Sequence, residues 1–297
     1  MKNIAFLLIF VLASCSSYKS IYLASFDDLV APPGTTQLSE NLYFDLTEVT
    51  NFHWLEYQNW IKKYYSENSE EYNISTPNRD VWTALDSNYS EFDKYYLSHP
   101  SYRDYPVMGV SYEQAVAYSE WRSDRVMQYI LVNNGIIPNE NSNHKDSIFT
   151  IEKYFTGQYN GIDPNPEIKL YPKYTLPDSA NYFKYAQFAD SVNSLILLKG
   201  KYKNSSLEML ENCVGVNSDS IPLGPSPVSK FVSNKKKIVV SHLKGNVREM
   251  TSVKGQFFGL SFIDSCDTSY PIIKQDPNMV NSYTGFRNIC VYKKWGE

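Results

Sequence analysis

The segment that most constrains this chain runs from His242 to Ser252, and at its centre Gly245-Asn246 is followed three residues later by Glu249. Glycine adopts backbone angles closed to other residues, and asparagine tolerates them better than most. A turn of this kind can curl its carbonyls inward beside the carboxylate. That is one way to assemble oxygen ligands around a hard cation. An apolar run, Ile238 to Val240, precedes it, so the same pattern also reads as an ordinary turn leading into a strand.

The N-terminus carries a second, independent signal. Lys2 is followed by an apolar run from Ile4 to Ala13, too short for a membrane span. It ends in Leu12-Ala13-Ser14-Cys15, the form of a bacterial lipobox. Residues 1–14 are therefore expected to be a lipoprotein signal peptide, with Cys15 lipidated after cleavage. Several acyl chains anchor a protein stably where one does not. Residues 15–37, with Ala31-Pro32-Pro33-Gly34, read as a tether that reaches about 60 Å when extended. A single domain over 38–297 follows. The expected location is the cell envelope, lipid-anchored, at the outer membrane facing the periplasm.

A formal net charge of −4 over 297 residues, 42% of them hydrophobic, is ordinary globular composition without the basic excess of a nucleic-acid binder. The four histidines are scattered, no Gly-rich phosphate loop opens a helix, and no Gly-x-Ser-x-Gly elbow occurs. Cys213, Cys266 and Cys290 remain after Cys15. An oxidising compartment permits one disulfide among them, and the sequence leaves its pairing open.

Along the chain, Phe44 to Val49 reads as a strand, and Thr50 or Asn51 caps a helix with Trp54, Tyr57, Gln58 and Ile61 at helical spacing. Residues 66–105 read as loop with short pieces of structure. Pro106 to Val110 is expected as a short strand. Ser111 with Gln114 has the capping-box form and begins a long helix that buries Trp121 and stops at Asn133-Asn134-Gly135. Residues 136–173 form a Pro-, Asn- and Tyr-rich insertion without clear period, of a length usually functional or ordered by its own packing. Asp178 caps a further helix with Tyr182, Tyr185, Ala186 and Ala189 on one face. Residues 199–237 read as loop, their tri-lysine Lys235 to Lys237 as a solvated turn, and Phe257 to Lys294 as short strands.

Five motifs in order resemble those of the sulfatase-modifying-factor family, which includes the formylglycine-generating enzymes. Thr47-Glu48-Val49-Thr50-Asn51 is similar to "T-E-V-T-N", and Pro106 to Ala115 to "P-V-x-x-V-S-W-x-x-A". Leu176 to Ala186 is a degraded "L-P-T-E-A-E-W-E-Y-A", Leu243 to Ser252 resembles "L-G-N-V-W-E-W-T-S", and Gly285-Phe286-Arg287 matches "G-F-R". The resemblance covers roughly residues 40 to 295 and implies an irregular α+β fold of the C-type-lectin-like kind. Trp121 to Val126 and the Tyr154-Phe155-Thr156-Gly157-Gln158-Tyr159 insertion resemble one subgroup, the lipoproteins of the Bacteroidetes gliding-motility and type IX secretion machinery.

Oxidases of this family use two copper(I)-binding cysteines after a "G-G-S-aromatic" motif. Gly259-Leu260-Ser261-Phe262 resembles that motif, and the matching cysteine positions are Asp264 and Ser269. Neither is a thiol, so no catalytic residue is assigned. Calcium is the family's structural ion, and the resemblance implies a site from the Gly245 and Val247 carbonyls, the Glu249 carboxylate and His242. An imidazole suits a hard cation poorly, and Lys244 and Arg248 add positive charge beside it. The expected function is a tethered, non-catalytic interaction component whose partners are the membrane and other envelope proteins. The alternatives are a copper-dependent formylglycine-generating oxidase, and a carbohydrate- or peptide-binding lipoprotein with an aromatic-lined groove.

Overall fold

The structure, a computed structural model, describes residues 23, 25, 26, 29–139, 143–197, 212–214, 224–228, 240, 242–266 and 269–297. Cys15, the signal peptide and the tri-lysine lie outside the described residues.

A bulged hairpin opens the domain, β1 (Thr35–Ser39) against β2 (Leu42–Asp45). The last strand, β8 (Ile289–Lys294), inserts between β2 and β3 (Leu170–Thr175), so the first sheet runs β1-β2-β8-β3 and is antiparallel throughout. A second sheet of short strands runs β6-β5-β4-β7, from β4 (Arg248–Met250), β5 (Gln256–Phe258), β6 (Ile272–Lys274) and β7 (Thr284–Gly285). Within it only β4 and β7 pair in parallel. Helices pack beside these sheets rather than alternating with the strands, which is the α+β arrangement expected. No helix of the described residues is long and apolar enough to cross a membrane.

The helix starts follow their capping chemistry. Thr50 caps α1 (Asn51–Tyr65), its hydroxyl accepting from the His53 N–H while His53 Nδ1 accepts from the Thr50 N–H. Ser111 and Gln114 do the same for α5 (Tyr112–Asn133), and Gly135, at φ +68°, ends the turn that stops it. Between them, residues 66–105 hold α2 (Glu70–Ile74), α3 (Val81–Leu85) and α4 (Ser90–Tyr95), each one or two turns long. Asp178 accepts from the Asn181 N–H at the start of α7 (Ser179–Leu197).

Four expectations change. Pro106 to Val110 is not a strand, because its backbone groups go to different partners. Val107 N–H reaches Val49, Gly109 N–H reaches Asn281, and the Gly109 carbonyl accepts from Asn78. At Gly109, φ +72°, an added Cβ would lie 2.1 Å from the Asn78 carbonyl oxygen, so only glycine fits there. The insertion is ordered by packing, one of the outcomes its length allows, with Phe149, Ile151, Tyr154, Tyr159 and Ile168 joining Met127, Leu131, Tyr174 and Cys290 in one buried cluster and α6 (Ile151–Phe155) inside it. The second change is that it ends in β3, whose alternation buries Leu170, Pro172 and Tyr174. Pro172 hides the period from sequence and is tolerated because β3 lies at a sheet edge.

The third change concerns the tether. Leu23 is buried in the same cluster, its carbonyl accepts from Lys169 and Leu170, and the Val30 carbonyl accepts from the Tyr292 hydroxyl. Leu23 and the Val30 carbonyl are therefore held against the domain, because an apolar side chain gains more in the core than in water. The fourth is Trp121, which is half-buried. It sits on the outer side of the α1–α5 contact, ringed by Tyr57, Trp60 and Tyr118.

Trp54, by contrast, is fully buried. It stacks on Tyr118 at 5.6 Å and donates its indole N–H to the Ser75 carbonyl. Trp54→Ala is expected to cost about 3–5 kcal/mol in urea denaturation, and Trp121→Ala clearly less. Equal losses at the two positions would contradict this assignment of the core.

Candidate functional site

Four of the five sequence motifs meet in one buried polar cluster. Glu48 follows β2, Asn246 and Glu249 come from the Gly-Asn turn and β4, Arg287 lies two residues past β7, and Tyr182 and Tyr185 project from α7. The parallel pairing of β4 with β7 sets Glu249 opposite Gly285. A Cβ on Gly285 would sit 2.9 Å from Val247 Cγ2, so this close approach requires glycine. Arg287, with no exposed surface, then grips Glu249 in a two-pronged pair, Nε to Oε2 and Nη2 to Oε1, each at 2.6 Å. Its Nη1 donates to the carbonyls of Asp45 (3.3 Å) and Leu46 (3.4 Å).

Tyr182 donates to Glu249 Oε2 at 3.0 Å, and Tyr185 donates to the Asp45 carbonyl at 2.9 Å. Asn246, at φ +66°, donates from Nδ2 to Glu48 Oε1 at 2.9 Å. Glu48 Oε2 stands 3.9 Å from the guanidinium and accepts no hydrogen bond among the described residues. Two carboxyls thus face one guanidinium away from water. Burial pushes both carboxyls above their usual range, with Arg287 and the hydrogen bonds pulling the other way. Glu249 holds both prongs of the pair and is the ionised partner. Glu48 stands farther from the guanidinium, and burial raises its pKa more than Arg287 and Asn246 lower it.

A second buried pair lies alongside. Arg122, from α5, makes two bonds to the Asp45 carboxylate at 2.6 and 2.9 Å, while Asp45 Oδ2 accepts from the Asn288 N–H. The Asn288 side chain donates in turn to Ser119 of α5 and to the Thr175 carbonyl. Arg122 also lies over the Tyr174 ring, 4.2 Å from its centre. These bonds lock α5 onto the first sheet. Nothing in the spacing of Asp45, Arg122 and Asn288 identifies them from sequence.

Of the four residues read as a calcium site, Glu249 and His242 offer side chains that suit the ion poorly. Both oxygens of Glu249 face Arg287, so its charge is already neutralised. His242, at φ +64°, is buried with Nε2 3.3 Å from the Pro227 carbonyl. Gly245 is packed so tightly against Asn212 that a Cβ would meet its carbonyl oxygen at 2.6 Å. Val247 faces Gly285, as described above. The turn keeps its shape through protein partners: Asn246 Oδ1 accepts from Ser226 N–H and Asn212 Nδ2, while Asn212 accepts from the Asn246 N–H. No group of three or more His, Cys, Asp or Glu side chains among the described residues is arranged to hold a metal.

At the positions where the oxidases carry cysteines, Asp264 is engaged on both oxygens. Arg248 donates to it through Nε (2.9 Å) and Nη2, and Ser261 donates both its N–H and its hydroxyl. These bonds hold the Asp264 carboxyl below its usual range against the opposing effect of burial. Ser269 is exposed. Cys266 is in a disulfide with Cys213, and a parallel bridge between Val214 and Ser265 runs beside it. The sequence leaves this pairing open. Cys290 is a free thiol in β8, buried in the insertion core, where desolvation pushes its pKa up.

The family model described as "Sulfatase-modifying factor enzyme 1-like domain" matches residues 16–290. Among solved structures the chain is similar to one titled "Crystal Structure of CarF", at 20% identity and a TM-score of 0.45, covering 84% of this chain and 86% of that one. Another is "Treponema denticola variable protein 1", at 16% identity and a TM-score of 0.39, covering 84% of each chain. No curated protein matches.

Glu249→Gln removes the two-pronged partner of the buried guanidinium and is expected to cost about 3–5 kcal/mol in urea denaturation. Glu48→Gln should act differently, because Gln keeps the oxygen that accepts from Asn246. With its folded-state pKa raised, the Glu48 carboxyl contributes fully below its unfolded value and loses that contribution as pH rises through the folded value. Measured from about pH 5 to about pH 8, the variant should therefore gain stability relative to wild type. A difference that is constant with pH would mean that Glu48 does not hold the proton.

Proposed function

This chain belongs to the sulfatase-modifying factor enzyme 1-like family, and from that premise we propose that it is a lipid-anchored envelope protein whose formylglycine-generating-enzyme-like domain is non-catalytic and serves as an interaction component. The observation that carries this reading is Asp264. It occupies the position of the first copper-binding cysteine and is engaged by Arg248 and Ser261. Copper(I) requires soft ligands, and two thiolates chelate it where one does not. Here the second position is Ser269, Cys266 is oxidised with Cys213, and Cys290 is sealed in another core. The residues present do not fit a copper(I) oxidase centre.

The envelope location rests on the Leu12-Ala13-Ser14-Cys15 motif, and Cys15 is its lipidation site. The long insertion supports the finer proposal, membership of a gliding-motality or type IX secretion assembly at the outer membrane. That segment resembles the corresponding lipoprotein subgroup, and it is built into the main core through Phe149, Tyr154 and Tyr159 rather than appended to the surface. Its partners on this reading are the membrane, through the acyl chains, and other envelope proteins.

Two measurements test the proposal. Cys15→Ala should move the protein from the detergent phase to the aqueous phase in phase partitioning. Wild type already in the aqueous phase would refute the anchor. Purified protein loaded with copper(I) and given a cysteine-containing sulfatase peptide should leave the thiol intact. Stoichiometric copper binding with conversion of that thiol to an aldehyde would refute the non-catalytic reading.

A further inference from the structure

Asn246 connects the buried carboxyl cluster to the surface. Its side chain binds Glu48 on one side and the segment Gly224–Ser226 on the other, through Ser226 N–H and the Ser226 carbonyl. Asn212 completes the hold by donating to Asn246 Oδ1 and to the Gly224 carbonyl. The segment so fixed forms one wall of a cavity of 440 Å³. That size falls within the roughly 300–1,000 Å³ usual for small-molecule sites.

The facing wall is aromatic. Tyr96 and Tyr102 stack at 5.5 Å, Phe92 meets Tyr102 edge-on at 5.4 Å, and Tyr105 meets it edge-on at 5.3 Å. Tyr96 is buried and fixed by its hydroxyl, which donates to the Pro106 carbonyl, while Tyr102 and Tyr105 are partly exposed. The wall therefore presents ring surface, with Tyr96 held in place by its bond to Pro106. Among the described residues, the lining holds no Asp, Glu, Lys, Arg or His to neutralise a charged ligand.

The chemistry narrows the ligand class. An extended peptide binds through rows of backbone donors and acceptors. Here the Ser226 N–H and carbonyl and the Gly224 carbonyl are already engaged by Asn246 and Asn212. An acidic or basic ligand would enter without a counter-charge, at a desolvation cost. A sugar ring matches both walls. Its C–H face lies against aromatic rings, whose faces carry negative partial charge, and its hydroxyls meet the hydroxyls of Tyr102, Tyr105 and Ser226. We propose that this cleft binds neutral sugar rings of an oligosaccharide, stacked on Tyr102 and Tyr105. The proposal does not depend on the lipid anchor.

The test titrates the purified full chain with maltohexaose, cellohexaose, laminarihexaose and chitohexaose. Binding is followed by calorimetry and by tryptophan fluorescence, since Trp82 lies 4.6 Å from Tyr96 and 4.9 Å from Phe92. Saturable binding of at least one hexasaccharide is expected, weakened about tenfold or more by Tyr105→Ala through loss of one stacked ring. The double variant Tyr102→Phe with Tyr105→Phe keeps both rings and guards against misfolding. It should weaken binding by about tenfold through two lost hydroxyl contacts. The proposal is overturned if none of the four sugars binds saturably, or if binding is unchanged in both variants. Binding of an unstructured peptide at the cleft, in place of any sugar, overturns it equally.

Discussion

Everything in this domain is arranged around a guanidinium that has no access to water. An isolated buried charge costs several kcal/mol, and only good geometry and full hydrogen bonding offset that cost. Arg287 obtains both by drawing together parts of the chain that are far apart in sequence: the Asp45 and Leu46 carbonyls at the end of β2, and Glu249 on β4. Glu249 is held in turn by Tyr182 of α7. The two sheets and the third long helix thus share one electrostatic centre. Asp45 extends it to α5 through Arg122.

This centre gives the motif residues of this chain a structural role. Glu48, Asn246, Glu249 and Arg287 answer one another's charges and hydrogen bonds, and the Gly-Asn turn exists to deliver Asn246 between Glu48 and the Gly224–Ser226 segment. An acid beside a glycine-containing turn reads as a cation site when its counter-charge is unknown. Once Arg287 is in place, the carboxylate has its cation already. The same reasoning applies at Asp264, where Arg248 and Ser261 stabilise a carboxylate at a position that serves thiolate chemistry elsewhere in the family.

The local signals proved reliable where the physics is local. Thr50 with His53, and Ser111 with Gln114, cap their helices within a single turn, so a few adjacent residues suffice to reveal them. The buried stripe of α1 follows from helical periodicity alone. Pro106 to Val110 was misleading for a corresponding reason: its composition is that of a strand, but strand pairing is decided by partners, and its partners are Val49, Asn78 and Asn281 on separate segments. β3 was invisible because Pro172 and the half-exposed Tyr171 and Lys173 obscure an alternation that only the pairing with β8 makes meaningful.

By itself, then, the sequence determined the family, the α+β class, the caps of the three long helices and the loss of the thiol pair at Asp264 and Ser269, since each depends on residue identity at fixed spacing. Only the tertiary structure decided what the motif residues are for. It joined Glu249 to Arg287 and Cys213 to Cys266, turned the insertion into core, and set Phe92, Tyr96, Tyr102 and Tyr105 along one wall of a cleft. Charge pairing, disulfide partnership and cavity shape are relations between distant residues. Spacing along a chain carries no information about them until the fold brings those residues within a few ångströms.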